Sequence, residues 1–181
     1  MRAMKRVPLA EFEPATKKRL EELWGTPPNL YKALANHPKL VAAWTEFARA
    51  IRYESETPRA LRELLILRGA QIMGSAYEWA QHLRMARKAG VPEQKICALS
   101  AWQDSPEFDA REKAALAIAE DVTRGEVSDA TYAEAMKHFD HKTYVELAMT
   151  AAFYAMVGRM LDAMGVQLEP EFENYSPRLP G

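Results

Sequence analysis

Three residues near the middle of the chain have side chains suited to acid/base chemistry: Glu63, Glu78 and His82. Glu78 and His82 stand four residues apart in the run SAYEWAQH, and on a helix that spacing puts both side chains on one face. A carboxylate beside an imidazole orients the ring and favours its protonated form. His82 then acts as a proton donor or acceptor near neutral pH, with Glu78 as its orienting partner. Glu63 precedes this pair on an apolar segment, where it would pass or store a proton. Arg68 interrupts the same segment. A buried guanidinium there needs a carboxylate, supplied by Glu63, by Glu78 or by a substrate it would anchor. Tyr77 and Trp79 read as packing residues that shape a wall. Ser75, after Gly74, reads as a helix cap, with an active-site hydroxyl as the alternative. A Glu/His pair at this spacing also occurs as plain decoration of a wet helix surface, so spacing alone leaves both readings open.

Other reactive residue types carry less. A metal reading of Glu78 and His82 is poor, because di-metal helical bundles use Glu-x-x-His with further inward-facing carboxylates; no metal is expected. His138 and His141 form an H-x-x-H pair that reads as a solvated face, and His37 before Pro38 reads as a turn residue. Cys97, the single cysteine, lies between Ile96 and Leu99 and is expected to be a buried small hydrophobe. There is no phosphate loop, no G-x-S-x-G and no dinucleotide fingerprint.

These residues need elements to hold them, and the elements read as helices. Ala, Leu, Glu, Lys, Arg and Met dominate, hairpin turn pairs such as Asn-Gly are missing, and Gly and Pro cut the chain into about eight segments. The expected helices are Ala15–Trp24, Leu30–Ala35 capped by Asn29, Pro38 to about Ile51, and Arg59–Met73 behind a Thr57–Pro58 start signal. Next come Ala76–Ala89, Glu93–Trp102, and Ala110–Arg124 with Asp109 and Glu112 as a capping box. Asp129–Phe139 and a long Lys142–Met164 complete the set. The last is apolar on more than one side, which makes it a central core helix, a face for a second copy of the chain, or both. The short Met73–Ser75 connection makes Arg59–Met73 and Ala76–Ala89 antiparallel neighbours, which brings Glu63 and Arg68 towards the Glu78/His82 face. Residues 1–165 are read as a single helical domain with its motif core at 59–96, and 166–181 as a proline-rich extension.

The chain has 181 residues, 24 Lys+Arg against 25 Asp+Glu, and 48% hydrophobic residues. That is globular rather than disordered composition. The charges are interleaved and nearly balanced, which argues against a nucleic-acid binder. One cysteine excludes an internal disulfide or a CxxC pair and fits a reducing compartment. The first residues lack the apolar core of a secretory signal, and the longest uncharged apolar stretch, Leu147–Gly158, is shorter than the about 20 residues of a membrane span. A cytoplasmic protein without membrane or nucleic-acid partners is expected.

Over Arg59–Ile96 the sequence resembles the carboxymuconolactone decarboxylase family, which includes the alkylhydroperoxidase-D-like proteins. The family pattern R-E-L, C-x-x-C-x-x-x-H, A and G is matched in order by Arg62-Glu63-Leu64, Ser75-x-x-Glu78-x-x-x-His82, Ala86 and Gly90. A weaker likeness extends to Asn29–Leu30, His37–Pro38 and the Glu146 to Tyr154 segment. The resemblance implies an all-α bundle of the alkylhydroperoxidase-D type, assembled as a homotrimer or homohexamer. In the peroxidase branch two cysteines do the work; Ser75 and Glu78 stand at those positions here, and neither runs thiol redox chemistry. The decarboxylase branch carries an acidic residue and the histidine at the motif, as here. It implies decarboxylation of a small carboxylated lactone from aromatic catabolism, without any cofactor. In that reading His82 moves the proton, Glu78 orients it, Glu63 is a second carrier, and Arg68, Tyr77, Trp79 and Ser75 contact the substrate. The alternatives are a non-catalytic helical oligomer that binds or scaffolds, and a peroxidase-like protein using Cys97 or an outside thiol.

Overall fold

The computed structural model describes residues 5–175, and among them every regular element is helical. The α-helices are α1 (Pro14–Trp24), α2 (Asn29–Leu34), α3 (Pro38–Arg49), α4 (Arg59–Met73), α5 (Ala76–Lys88), α6 (Glu93–Ala98), α7 (Ala110–Arg124), α8 (Asp129–Ala135) and α9 (His141–Met164). A π-helical turn, Ala50–Glu54, follows α3, and 3-10 turns lie at Leu99–Ala101 and Pro170–Tyr175. Expectations for residues 176–181 lie outside the described residues.

The described chain forms two compact units. One holds residues up to Ser55 with Met160–Asn174. There the Val7 N–H donates to the Met164 carbonyl at 3.0 Å, and the Glu169 carboxylate accepts from the Asn29 N–H at 2.6 Å. The other holds Glu56–Arg159 and contains every residue of the motif.

Within that second unit α4 is the central helix. Leu61 to Leu67, Gly69 and Ala70 are all buried, so α4 is enclosed around its whole circumference over two turns. One side packs with Trp79, Leu83, Leu99, Trp102 and Phe108 through Leu64 and Leu67. The other packs with Ala115, Ile118, Phe139, Leu147 and Ala151 through Leu61 and Leu65. α9 contributes Leu147 and Ala151 to this core and also buries Phe153, Tyr154 and Val157, while Val145, Met149 and Met156 are exposed.

The turn from α4 to α5 is a Schellman motif. Gly74 takes a left-handed conformation (φ 64°, ψ 26°), the Ser75 N–H donates to the Ala70 carbonyl at 2.9 Å, and the Gly74 N–H donates to Gln71 at 3.1 Å. A side chain at position 74 would resist that φ, so the glycine sets the reversal that returns α5 along α4. Ser75 then caps α5, its Oγ accepting from the Glu78 N–H at 3.4 Å.

Several boundaries differ from the sequence-based expectation. α4 and α7 begin and end where glycine, proline and the Asp109/Glu112 box place them. Thr57 does not cap α4, however; the N-cap position is Pro58, with no side-chain cap. The backbone N–H groups of Glu56 and Thr57 instead donate to the Glu146 carboxylate of α9 at 3.0 and 2.9 Å. α3, α6 and α8 stop early, each followed by a tighter or wider turn or a bend. His37 caps α3, its Nδ1 accepting from the Leu40 N–H at 3.3 Å.

Candidate functional site

Glu63 and Arg62 arise from the buried run of α4, and Glu78 and His82 from the first two turns of α5. The reversal at Gly74 sets these helices side by side, and their polar residues meet. Glu63 Oε2 lies 2.8 Å from His82 Nδ1, and Glu78 Oε2 lies 3.7 Å from His82 Nε2. The imidazole therefore stands between two carboxylates, one on each ring nitrogen. Glu63 is fully buried, and Glu78 and His82 are 3% and 2% exposed. The surface-decoration reading of the Glu78/His82 pair is thereby set aside.

The closer contact to the imidazole is made by Glu63, not by its helix-mate Glu78. Glu78 and His82 share a helix, but a distance of 3.7 Å exceeds a hydrogen bond, while Glu63 reaches one from the neighbouring helix. An ionised carboxylate only accepts, so with Glu63 ionised the imidazole keeps a proton on Nδ1. Glu63 is held from its other oxygen by the Arg59 guanidinium, one turn earlier on α4.

Arg62 carries no chemical signal in the sequence beyond its place in the motif, yet it is 4% exposed and its Nε donates to the Thr57 carbonyl at 3.2 Å. Burial lowers its pKa, as does the neighbouring Arg59 charge, while Tyr154, Glu146 and Glu63 act the other way. Glu146 is the nearby anion on α9. Burial alone would raise its carboxyl, but the Glu56 and Thr57 N–H groups, the Thr57 hydroxyl and the Arg62 charge outweigh burial and hold it below the ordinary range. Tyr154, also on α9, sets its ring against His82 with centroids 4.6 Å apart and planes at 81°. Arg59 had a legible signal, the i,i+4 spacing to Glu63. Tyr154 and Glu146 fall in the segment of weaker family likeness, but no spacing placed them at the site, since only tertiary packing brings α9 to α4 and α5.

The other candidates fall elsewhere. Arg68 meets neither Glu63 nor Glu78; its Nε donates to Glu120 Oε1 at 2.6 Å and its Nη1 to Gln71 at 3.0 Å. Trp102 Nε1 donates to the same Glu120 oxygen at 2.8 Å. The expectation that Arg68 joins the Glu78/His82 face is corrected, because position 68 turns towards α7 and its charge is matched inside the protein. Trp79 is part of the apolar core and Tyr77 is buried. Ser75 acts as the α5 cap. Cys97 is exposed, which corrects the expected burial: Ile96 on α6 and Leu99 in the turn that follows face inward, and position 97 points away. His138 Nε2 lies 3.3 Å from Glu134 Oε1, and His141 is exposed. Among the described residues no three His, Cys, Asp or Glu side chains converge as a metal site. No described helix is long and apolar enough to cross a membrane.

The fold is shared with solved structures at low identity. A peroxidase-related protein from Silicibacter sp. TM1040 superposes with a TM-score of 0.80 at 21% identity, covering 95% of this chain and 96% of that one. An uncharacterized peroxidase-related protein from Ralstonia eutropha JMP134, described as an alkylhydroperoxidase AhpD core, gives 0.80 at 20% identity over 92% and 93%. The apo debrominase Bmp8 gives 0.77 at 20% identity over 89% of each chain. These likenesses define the class: an all-helical protein of the alkylhydroperoxidase-D-like fold, here with a buried carboxylate–imidazole–carboxylate set on its α4–α5 hairpin. The family model of the carboxymuconolactone decarboxylase family matches residues 38–121, which include Glu63, Glu78 and His82. The uncharacterized protein YdfG of Bacillus subtilis (strain 168) is 34% identical over 115 residues, covering 62% of this chain and 78% of that protein. The chain belongs to the carboxymuconolactone decarboxylase family.

Proposed function

We propose that this protein is a cofactor-independent acid/base enzyme, a lyase that decarboxylates a small carboxylated lactone or a related intermediate of aromatic catabolism. The observation that carries this reading is the buried imidazole of His82 between Glu63 and Glu78. Loss of CO2 from such a lactone breaks one C–C bond and sends its electron pair into the conjugated lactone carbonyl. The resulting dienolate then takes a proton on carbon. His82 supplies that proton from Nε2, while Glu63, at hydrogen-bond distance from Nδ1, orients the ring and stabilises its charged form. Glu78 exchanges the proton at Nε2 and restores the donor. Arg59 and Arg62 add positive charge that favours an anionic substrate.

A peroxidase-like role fits less well, because Ser75 and Glu78 occupy the motif positions where that chemistry needs thiols and Cys97 lies outside the motif. The single cysteine supports work in a reducing compartment such as the cytoplasm. Assembly as a homotrimer or homohexamer is supported by the exposed Val145, Met149 and Met156 on α9. Light scattering of the purified chain tests it, and a monomer at micromolar concentration would count against it.

The enzyme reading is tested by incubating the chain with a panel of unsaturated lactone carboxylic acids and measuring CO2 release together with loss of lactone absorbance. The wild type is expected to turn one of them over, and His82→Ala to lose about 10²–10⁴-fold in kcat. Turnover by His82→Ala at the wild-type rate overturns the assignment of His82. Peroxide consumption that depends on Cys97, with no CO2 released, overturns the lyase reading.

A further inference from the structure

The imidazole of His82 has a third neighbour besides its two carboxylates, supplied by a helix outside the family-matched segment. Tyr154 of α9 is 4% exposed, and its ring meets the imidazole edge to face. Phe153 lies against Tyr154 in turn, with centroids 5.2 Å apart and planes at 88°. The rotation of a histidine ring about its Cβ–Cγ bond is broad and roughly two-fold, so rotamer preference alone does not select which nitrogen faces Glu63. A half-turn would carry Nδ1 away from Glu63 and put a C–H in its place. An aromatic ring standing perpendicular against the imidazole fills the volume that such a turn sweeps.

The placement of Tyr154 is itself tied to α4. Glu146, Thr150 and Tyr154 recur at four-residue intervals along α9. Glu146 binds the backbone N–H groups of Glu56 and Thr57 just ahead of α4, and the buried Thr150 hydroxyl donates to the Glu146 carbonyl at 2.7 Å. One face of α9 thus anchors the start of the helix that carries Glu63 and, two turns further on, braces the histidine that Glu63 holds.

We infer that Tyr154 is a positioning residue: its ring locks His82 in the orientation that keeps Nδ1 on Glu63 and turns Nε2 towards Glu78. This rests on the reading of His82 as the proton carrier, but the contact can be examined without any substrate. The titratable groups in contact with the imidazole are Glu63 of α4, Glu78 of α5 and Tyr154, with Arg59 and Arg62 close to Glu63. Tyr154→Phe leaves every one of them except the phenol and keeps the flat ring.

The test is 15N NMR of the His82 imidazole in the full chain, assigned with His82→Gln. In the wild type and in Tyr154→Phe a persistent, slowly exchanging Nδ1–H resonance bonded to Glu63 is expected. In Tyr154→Leu that resonance should broaden by exchange. Should the leucine variant fail to fold, Tyr154→Met, which fills volume without a flat face, is read the same way. An unchanged wild-type signature in the folded leucine or methionine variant overturns the inference, and so does its loss in Tyr154→Phe. If lyase turnover has been found, Tyr154→Phe should keep kcat and the leucine or methionine variant should lose about tenfold or more in kcat with little change in KM. Absence of turnover in the wild type would sink the enzyme reading and leave the NMR result standing.

Discussion

His82 Nδ1 lies 2.8 Å from Glu63 Oε2, across the gap between two helices, while the glutamate on its own helix stands further off at 3.7 Å. The two carboxylates should therefore differ in what their loss does. Glu63→Gln removes the charge that stabilises an imidazolium and also removes the charge paired with Arg59. Glu78→Gln leaves both of those contacts in place. In a lyase assay Glu63→Gln is expected to lose the larger share of kcat, on the order of 10²-fold or more, and to unfold at lower urea. Equal losses in both variants, with equal urea midpoints, would contradict this division of roles.

The Arg68–Glu120 pair is structural, so its disruption should appear in stability. Glu120 accepts from Arg68 and from Trp102, and it is 6% exposed. Glu120→Ala leaves a largely buried guanidinium with Gln71 but without its counterion, and the expected loss is about 2–3 kcal/mol in urea denaturation. The double variant Arg68→Met, Glu120→Leu should recover part of that loss, because two apolar side chains need no pairing while the Trp102 N–H still lacks its acceptor. A Glu120→Ala protein as stable as wild type would show that the pair does not hold the core together.

Acid should weaken the anchor between α9 and the start of α4. The Glu146 carboxyl sits below its ordinary range, so the folded state holds its proton less tightly than the unfolded state does. That contribution is complete above the unfolded carboxyl value of about 4.3 and is lost as the pH falls towards the lower folded value. Denaturation midpoints measured between pH 6 and pH 3 should fall less steeply in Glu146→Gln than in wild type. Parallel pH profiles would show that Glu146 has no such linkage.

Cys97 should react without unfolding. It is exposed on α6, and a thiol reagent added to the native protein is expected to titrate one equivalent at the rate of an open thiol. Cys97→Ser should leave lyase activity unchanged and stability within about 0.5 kcal/mol of wild type, as surface substitutions do. A native protein that reacts only after denaturant is added would place the thiol inside.

The helices themselves are largely legible in the order of residues along the chain. Arg59–Met73 and Ala110–Arg124 end at glycines that take positive φ, and Asp109 with Glu112 forms the capping box its spacing announces. Such signals are local: each depends on a few neighbouring side chains and on backbone that only glycine adopts easily. Boundaries failed where the deciding contact was distant, as at Thr57, where the partner of the preceding N–H groups is Glu146 on α9.

The site divides along the same line. Residue type and the four-residue interval determined that Glu78 and His82 share a face, and the short Gly74 turn brought Glu63 into range. Tertiary packing decided that Glu63 rather than Glu78 makes the hydrogen bond, that Arg68 turns to Glu120, that Cys97 faces water and that Tyr154 braces the imidazole. Helical periodicity fixes which residues lie on one face of one rod. Which rod that face meets, and at what rotation, depends on how whole apolar surfaces fit together, and no spacing within a single segment contains that information.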